Sequence, residues 1–176
     1  MEEFVILVDT QDNEIGQMEK MEAHEKAILH RAFSVFAMND KNEILLQQRA
    51  LHKYHSGGLW TNTCCSHPRA GETVTQAAER RLQEEMGFTC PVTPVFSFIY
   101  KAELDQGLTE HELDHVCIAR WNEDPVVNPD EVASFLWKDV DWVANDIATH
   151  PEKYTEWFKI IYNQFLNYWH NEDHGV

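Results

Sequence analysis

Three histidines and a closely spaced pair of glutamates offer the side-chain types of a divalent metal site, although their spacing alone is a weak signal. The histidines are His24, His30 and His67, and the glutamates are Glu110 and Glu112. The two glutamates are two positions apart, so on a strand both side chains would point to the same face. Imidazole and carboxylate ligands suit zinc or manganese. Taken singly, however, each histidine is more often a surface or hydrogen-bonded side chain.

The segment from Ser66 to Gly87 carries a second pattern. It resembles the Nudix box, G-x5-E-x7-R-E-U-x-E-E-x-G-U, in which a loop and a helix bind divalent metals beside a diphosphate. The matching positions are Glu72, Arg80, Glu84, Glu85 and Gly87. An amphipathic helix with exposed ion pairs would explain Arg80 with Glu84, but not the whole spacing.

Two positions depart from the Nudix box. Ser66 stands at its first glycine, and Arg81 stands at the glutamate that follows the arginine. In that family the glutamate helps to hold the metals that activate water. Arg81 should therefore disable hydrolysis while still attracting an anion.

Further segments resemble one particular family, the type I isopentenyl-diphosphate isomerases. They follow one another in the expected order from about Lys20 to the last helix, and the block around Cys65 is highly specific. These segments are 30–36 (HRAFSVF), 45–49 (LLQQR), 60–68 (WTNTCCSHP), 110–112 (EHE) and 157–161 (WFKII). The resemblance implies a Nudix-like fold and an enzyme that interconverts isopentenyl and dimethylallyl diphosphate without breaking the diphosphate.

The resemblance also implies catalytic roles. Cys65 and Glu112 would act on the two sides of the substrate, and Tyr100 would form hydrogen bonds near the acidic group. Trp157 would stabilise a carbocation through its ring face. A free cysteine is mostly a protonated thiol at neutral pH. Taken alone, Cys65 would more often be a small buried hydrophobe, and Trp157 would more often belong to an apolar helix stripe.

The binding residues are implied in the same way. His24, His30, His67, Glu110 and Glu112 would hold one divalent ion, Zn²⁺, Mn²⁺ or Mg²⁺. Glu85 would hold a Mg²⁺ that bridges to the diphosphate. The positively charged residues of the diphosphate site would be Lys20, Arg49, Lys53 and Arg81, although each alone would more often be a solvated surface charge.

The sequence predicts strands and helices that must position these residues. A capping box at Thr73 and Gln76 begins the clearest helix, and Gly87 ends it. We predict strands at 4–8, 15–20, 31–38, 43–48, 92–102, 115–121 and 134–138, helices at 73–86 and 139–148, and a last helix capped by 149–152. This order predicts an α+β fold, a Nudix-like α/β/α sandwich whose mixed β-sheet is covered by helices, in a single domain over 1–176.

Composition limits the class of partner. The chain has 176 residues and a net charge of -16, which disfavours nucleic acid and leaves a small prenyl diphosphate as the expected partner. An acidic start and the lack of an apolar run of about 18 residues predict no signal peptide and no membrane span. The four cysteines predict free thiols and a cytoplasmic protein. We expect a monomer or a weak dimer.

Two other functions remain open from the sequence. A Nudix hydrolase of a diphosphate substrate would share the fold, but Arg81 and the Cys65 block argue against it. A non-catalytic, metal-binding Nudix-like domain would need neither an acid nor a base.

Overall fold

The computed structural model describes residues 2–172, which form a mixed sheet of nine strands together with four α-helices and two short 3₁₀ turns. The elements are β1 (Phe4–Val8), β2 (Glu14–Glu19), α1 (Lys20–Glu25), β3 (His30–Met38), β4 (Glu43–Arg49), β5 (Trp60–Thr61), β6 (Cys64–Ser66), α2 (Val74–Met86), β7 (Val92–Glu103), β8 (Thr109–Arg120), β9 (Val132–Asp139), α3 (Val140–Thr149) and α4 (Glu156–Asn171).

Strand β3 is the organising strand of the sheet. It pairs in parallel with β8, beginning with His30 opposite Glu112. It also pairs antiparallel with β6, where Ser34 lies opposite Cys65. Strand β8 pairs with β7 and strand β4 with β9, both antiparallel. Residues from four distant parts of the sequence therefore meet around one strand.

Alternate side chains of β3 enter two different hydrophobic clusters, as the two-residue period of a strand requires. Phe33 and Val35 pack with Leu82 of α2. Phe36 packs with Phe165 of α4, and their stacked rings have centroids 4.2 Å apart. Helices thus cover both faces of a mixed sheet, which confirms the predicted fold class.

Helix α2 has the predicted ends. The Thr73 hydroxyl accepts a hydrogen bond from the Gln76 backbone N–H at 3.1 Å, and the Gln76 side chain accepts one from the Thr73 N–H at 3.0 Å. Gly87 ends the helix at φ +72°, and a Cβ there would collide with the Val126 carbonyl. Glycine is therefore required by both conformation and space.

Helix α1 was not predicted. The sequence interpretation continued a strand to Lys20, whereas Lys20 begins a one-and-a-half-turn helix. The cap is the Glu19 carboxylate, which accepts from the backbone N–H groups of Met21 at 3.0 Å and Glu22 at 2.9 Å. Glutamate is not a preferred N-cap residue, so no local signal predicts this helix.

The predicted start of the last helix was also wrong. Pro151 opens a separate 3₁₀ turn, Pro151–Lys153, and the cap of α4 is Thr155. The backbone N–H of Thr155 donates to the Trp60 carbonyl at 3.0 Å, and the backbone of Tyr154 and Thr155 is extended before α4 begins. This contact places Trp157, in the first turn of α4, near β5.

Strand β8 begins at Thr109, before the predicted start at 115, and the short strands β5 and β6 were not predicted. The missed part of β8 places Glu110, Glu112 and Asp114 on its buried face. Buried carboxylates hide the usual apolar alternation of a strand. Among residues 2–172, no helix is long and apolar enough to cross a membrane.

Candidate active site

One cleft brings together most of the residues that the sequence singled out. Two of these residues, His30 and Tyr100, do not line the cleft. Each of them instead contacts Glu112, which does. The predicted residues that line the cleft are Lys20, His24, Arg49, Lys53, Cys65, His67, Arg81, Glu85, Glu110, Glu112 and Trp157.

The metal-ligand candidates form a compact group. Nε2 of His67 lies 2.6 Å and Nε2 of His30 lies 3.1 Å from the same oxygen, Oε2 of Glu112. The His24 ring centroid is 5.1 Å from that of His30. One ligand atom from each of these four residues lies within 4.8 Å of all the others. Three nitrogens and one carboxylate oxygen at this separation could hold a divalent ion.

Backbone carbonyls orient two of the imidazoles. Nδ1 of His24 lies 2.7 Å from the Lys20 carbonyl, and Nδ1 of His30 lies 2.8 Å from the Ile28 carbonyl. A carbonyl oxygen can only accept, so each Nδ1 carries the hydrogen in the neutral ring. With an ion bound, Nε2 of each ring would be free to present its lone pair to the metal, as metal-binding histidines require.

The pKa values of the two glutamates of β8 shift in opposite directions. Burial alone would raise the pKa of Glu112, but His67 and His30 outweigh burial and hold that pKa well below its ordinary value. Burial, reinforced by the negative charge of Glu112, raises the pKa of Glu110. Oε1 of Glu110 lies 3.9 Å from Nε2 of His24, at the edge of the ligand group. Glu112 is therefore ionised at neutral pH.

Tyr100 links these glutamates. Its hydroxyl lies 2.8 Å from Oε2 of Glu110 and also donates to Oε1 of Glu112. Burial, together with both neighbouring carboxylates, keeps the pKa of Tyr100 well above its ordinary value. The phenol therefore remains a proton donor within this group.

Cys65 lines the same cleft from β6. Burial, reinforced by the nearby Asp114 carboxyl, raises the pKa of its thiol. The sulfur therefore carries its proton at neutral pH. A protonated thiol and an ionised carboxylate, that of Glu112, thus border one space.

The predicted diphosphate-binding residues line this cleft as well, and several are paired with carboxylates. Nζ of Lys20 lies 3.0 Å from Oε2 of Glu3. Glu131 contacts both Lys53 and Arg81, with Nη2 of Arg81 3.5 Å from its Oε2. An incoming diphosphate would thus meet cations that are already gathered together by acidic side chains.

Glu85 is a buried carboxylate held in a polar cage. Its Oε2 accepts from the Cys64 thiol at 2.9 Å and from Nε of Arg81 at 3.3 Å. Nε2 of Gln47 lies 3.4 Å from Oε1. A single fixed carboxylate beside an anion site suits magnesium, which takes its remaining ligands from phosphate and water.

Trp157 forms an aromatic part of the cleft wall and is 3% exposed. The His55 ring stands edge-on to it at a centroid distance of 5.7 Å. Burial, reinforced by Arg49 and other nearby cations, lowers the pKa of His55 to about 3. The imidazole beside Trp157 therefore carries no positive charge at neutral pH.

The sequence interpretation missed three cleft residues, Tyr54, His55 and Glu131. Glu131 reaches the site because β9 pairs with β4, where Val132 lies opposite Arg49. No local sequence pattern predicts the pairing of β4 with β9. His55 is one of ten histidines in the chain, and nothing in the sequence distinguishes it from its neighbour His52.

Comparison with known proteins places this arrangement in a family. The NUDIX domain model matches residues 28–158. The isopentenyl-diphosphate Delta-isomerase of Pectobacterium atrosepticum is 50% identical over 165 residues, covering 94% of this chain and 92% of the relative. The isopentenyl-diphosphate Delta-isomerase 2 of Photorhabdus laumondii is 51% identical over 163 residues, covering 93% and 92%.

Solved structures support the fold. DR0079 of Deinococcus radiodurans superposes with a TM-score of 0.70 at 19% identity, covering 84% of this chain and 90% of that one. A MutT protein of Methanosarcina mazei Go1 gives 0.64 at 16% identity, with 82% and 96% covered. These likenesses show a Nudix fold, and the close sequence relatives narrow the assignment: the chain belongs to the isopentenyl-diphosphate Delta-isomerase family.

Proposed function

We propose that this protein interconverts isopentenyl diphosphate and dimethylallyl diphosphate. The observation that carries the proposal is a single cleft lined by the Cys65 thiol, the Glu112 carboxylate and four cationic side chains, Lys20, Arg49, Lys53 and Arg81. Moving the double bond requires a proton to be added at C4 and another to be removed from C2. A cleft that holds both a proton donor and a proton acceptor meets that requirement.

The diphosphate end of the substrate sets the binding mode. Lys20, Arg49, Lys53 and Arg81 would bind its oxygens, since these side chains supply the positive charge of the cleft. This cluster matters because the chain as a whole carries a net charge of -16. Arg81 can also offer two parallel N–H donors, which suits a phosphate better than a single ammonium group does.

The proposed reaction would use two divalent ions, and His24, His30, His67 and Glu112 are close enough to support the first of them. His24, His30, His67, Glu110 and Glu112 would hold Zn²⁺, Mn²⁺ or Mg²⁺, and Glu85 would hold Mg²⁺ beside the diphosphate. Once bound, the first ion would keep Glu112 ionised and fixed, and the second would neutralise part of the diphosphate charge. The remaining chemistry falls to the side chains of this chain.

We infer the order of the proton transfers from the pKa shifts of Cys65 and Glu112. In the forward direction the Cys65 thiol gives its proton to C4, and the π electrons form the new C–H bond. This leaves a tertiary carbocation at C3. Glu112 then takes a proton from C2, and the C–H electrons form the new double bond. A proton returned from Glu112 to the Cys65 thiolate, directly or through solvent, restores the starting state.

The carbocation needs an environment that stabilises it without reacting with it. Trp157 would provide an electron-rich ring face, worth about 2 kcal/mol or more where water is excluded. The neutral His55 beside it adds no positive charge. Tyr100 would hold Glu112 in place through the hydrogen bond between them.

The direct test is to incubate the metal-loaded protein with isopentenyl diphosphate and follow the products by NMR. The proposal predicts dimethylallyl diphosphate with no release of inorganic phosphate or pyrophosphate. A Nudix hydrolase would release phosphate, and a non-catalytic domain would leave the substrate unchanged. Either result would reject the isomerase function.

The free cysteines Cys64, Cys65, Cys90 and Cys117 accord with a reducing compartment, and we propose the cytoplasm.

A further inference from the structure

Asn62 is a fully buried polar residue three positions before Cys65, in the connection between β5 and β6. A buried amide must satisfy both its donor and its acceptor atoms. The partners of its two ends therefore show what the side chain does.

The nitrogen end of the Asn62 amide contacts the backbone. Nδ2 donates to the Val35 carbonyl at 2.9 Å and to the Cys64 carbonyl at 3.1 Å. The opposite amide orientation would place Oδ1 against two carbonyl oxygens, which only accept. The amide is therefore locked, and Oδ1 must face the other way.

The oxygen end faces the reactive thiol. Oδ1 lies 2.9 Å from Sγ of Cys65 and accepts from the Thr61 hydroxyl at 2.9 Å. The second polar neighbour of the sulfur is more distant, because Oγ of Ser34 lies 3.4 Å away and donates its own hydrogen to Asp114. Asn62 is thus the closer of the two groups that can accept the S–H hydrogen.

From these contacts we propose that Asn62 is a positioning residue for the isomerase reaction and fixes the Cys65 sulfur at the cleft wall. The inference rests on the proposed function, in which the thiol transfers a proton. Without Asn62, the sulfur can turn about the Cα–Cβ bond into other rotamers. A displacement of about 1 Å in a reacting group can reduce its rate about 10²-fold.

The neighbouring Thr63 is a matched control. It is also fully buried, and its hydroxyl accepts from the Ala37 N–H at 2.8 Å and donates to the Leu45 carbonyl at 2.6 Å. Thr63 therefore ties the same connection to the sheet through backbone groups. If Asn62 has only that structural role, the two residues should behave alike.

The experiment compares metal-loaded wild type with Asn62→Ala and Thr63→Ala. We expect kcat of Asn62→Ala to fall about 10²-fold with KM nearly unchanged. Thr63→Ala should lose thermal stability but keep kcat per folded molecule within a few-fold of wild type. Equal losses of kcat in the two variants would overturn the proposal.

A spectroscopic measurement tests the contact itself. The S–H stretching band of Cys65 is obtained by Raman difference between wild type and Cys65→Ala. It should lie below the frequency of an unbonded thiol and move upward in Asn62→Ala. A wild-type band at the unbonded frequency overturns the proposal. This measurement does not need the Asn62→Ala variant, so it remains decisive even if that variant does not fold. Because the band requires no turnover, an inactive wild type would reject the proposed function without deciding the Asn62 contact.

Discussion

The guanidinium carbon of Arg49 lies 5.1 Å from the centre of the Trp157 ring. A residue proposed for the diphosphate thus contacts the residue proposed for the carbocation. Nη2 of Arg49 donates to the His55 carbonyl at 3.2 Å, while its buried Nε has no hydrogen-bond partner among the described residues. The charged and aromatic parts of the cleft are therefore physically coupled.

This coupling predicts non-additive mutations. We expect Arg49→Gln and Trp157→Leu to show a coupling energy of about 0.5 to 2 kcal/mol in a double-mutant cycle on kcat/KM. The pair Lys53→Gln and Trp157→Leu serves as the control, because Lys53 instead pairs with Glu131. Additive effects in the Arg49 cycle would contradict the coupling.

Trp157 should act on turnover beyond its packing. The quadrupole of the ring is stronger in tryptophan than in phenylalanine and is absent from leucine, so kcat should fall in the order Trp157, Trp157→Phe, Trp157→Leu. KM should change little in comparison. Thermal unfolding measures the packing loss separately, because large-to-small core changes reduce stability by several kcal/mol. If both variants keep wild-type turnover per folded molecule, Trp157 contributes only core packing and does not stabilise the carbocation.

The proton-transfer residues should be indispensable. Cys65→Ala and Glu112→Gln should each lower kcat by about 10² to 10⁴ or more, because positioned proton transfer contributes about that much. Steady-state kinetics with isopentenyl diphosphate measures the effect, and circular dichroism checks the fold. Cys90→Ala is the matched control, since Cys90 is a free cysteine outside the residues that line the cleft. Near-normal turnover in either of the first two variants would remove that residue from the mechanism.

Metal removal should abolish turnover and lower the melting temperature together. An ion that binds only the folded protein stabilises it by about 2.7 kcal/mol at 100 times its dissociation constant. His67→Gln should lose most of this response, whereas His115→Gln should keep it, because His115 pairs with Asp12 outside the ligand group. Titration with zinc, manganese and magnesium compares the three ions. A melting temperature that none of them changes would argue against the metal site.

His55 predicts a pH dependence of stability. Burial, reinforced by Arg49, lowers its pKa from 6.5 to about 3 in the folded protein. Between those values the unfolded chain binds a proton that the folded protein excludes, so acidification from pH 6.5 favours unfolding. The contribution reaches about 1.4 kcal/mol per pH unit at most and is absent above this range. His55→Gln should therefore flatten the urea unfolding free energy against pH in that window, whereas parallel curves for the two proteins would contradict the assignment.

Local signals in the sequence were reliable where the structure depends on neighbours in the chain. Thr73, Gln76 and Gly87 define α2 through contacts within a few residues, and the prediction of that helix was confirmed. Helix α1 was missed because its cap, Glu19, is an unusual choice for the role. The residue types of the three histidines and two glutamates suggested a metal site, and the family resemblance joined all five into one ligand set.

Other parts of the site depend on contacts that no local pattern records. Glu131 meets Arg81 only because β4 and β9 pair, and Asn62 meets Val35 only because β6 lies beside β3. A buried asparagine has no periodicity, and its role becomes visible only when the partners of both amide ends are known. The assignments of individual catalytic residues stay predictions until turnover is measured.

The parallel pairing of β3 with β8 also has a kinetic consequence. His30 and Glu112 are separated by 82 positions in the chain, yet they are register partners. Closing so long a loop is a slow, entropically costly event in folding. The ligand group is thus completed only when this distant pair has formed. A bound ion should accordingly slow unfolding while leaving the rate of refolding nearly unchanged, because the ion binds only after the chain has folded.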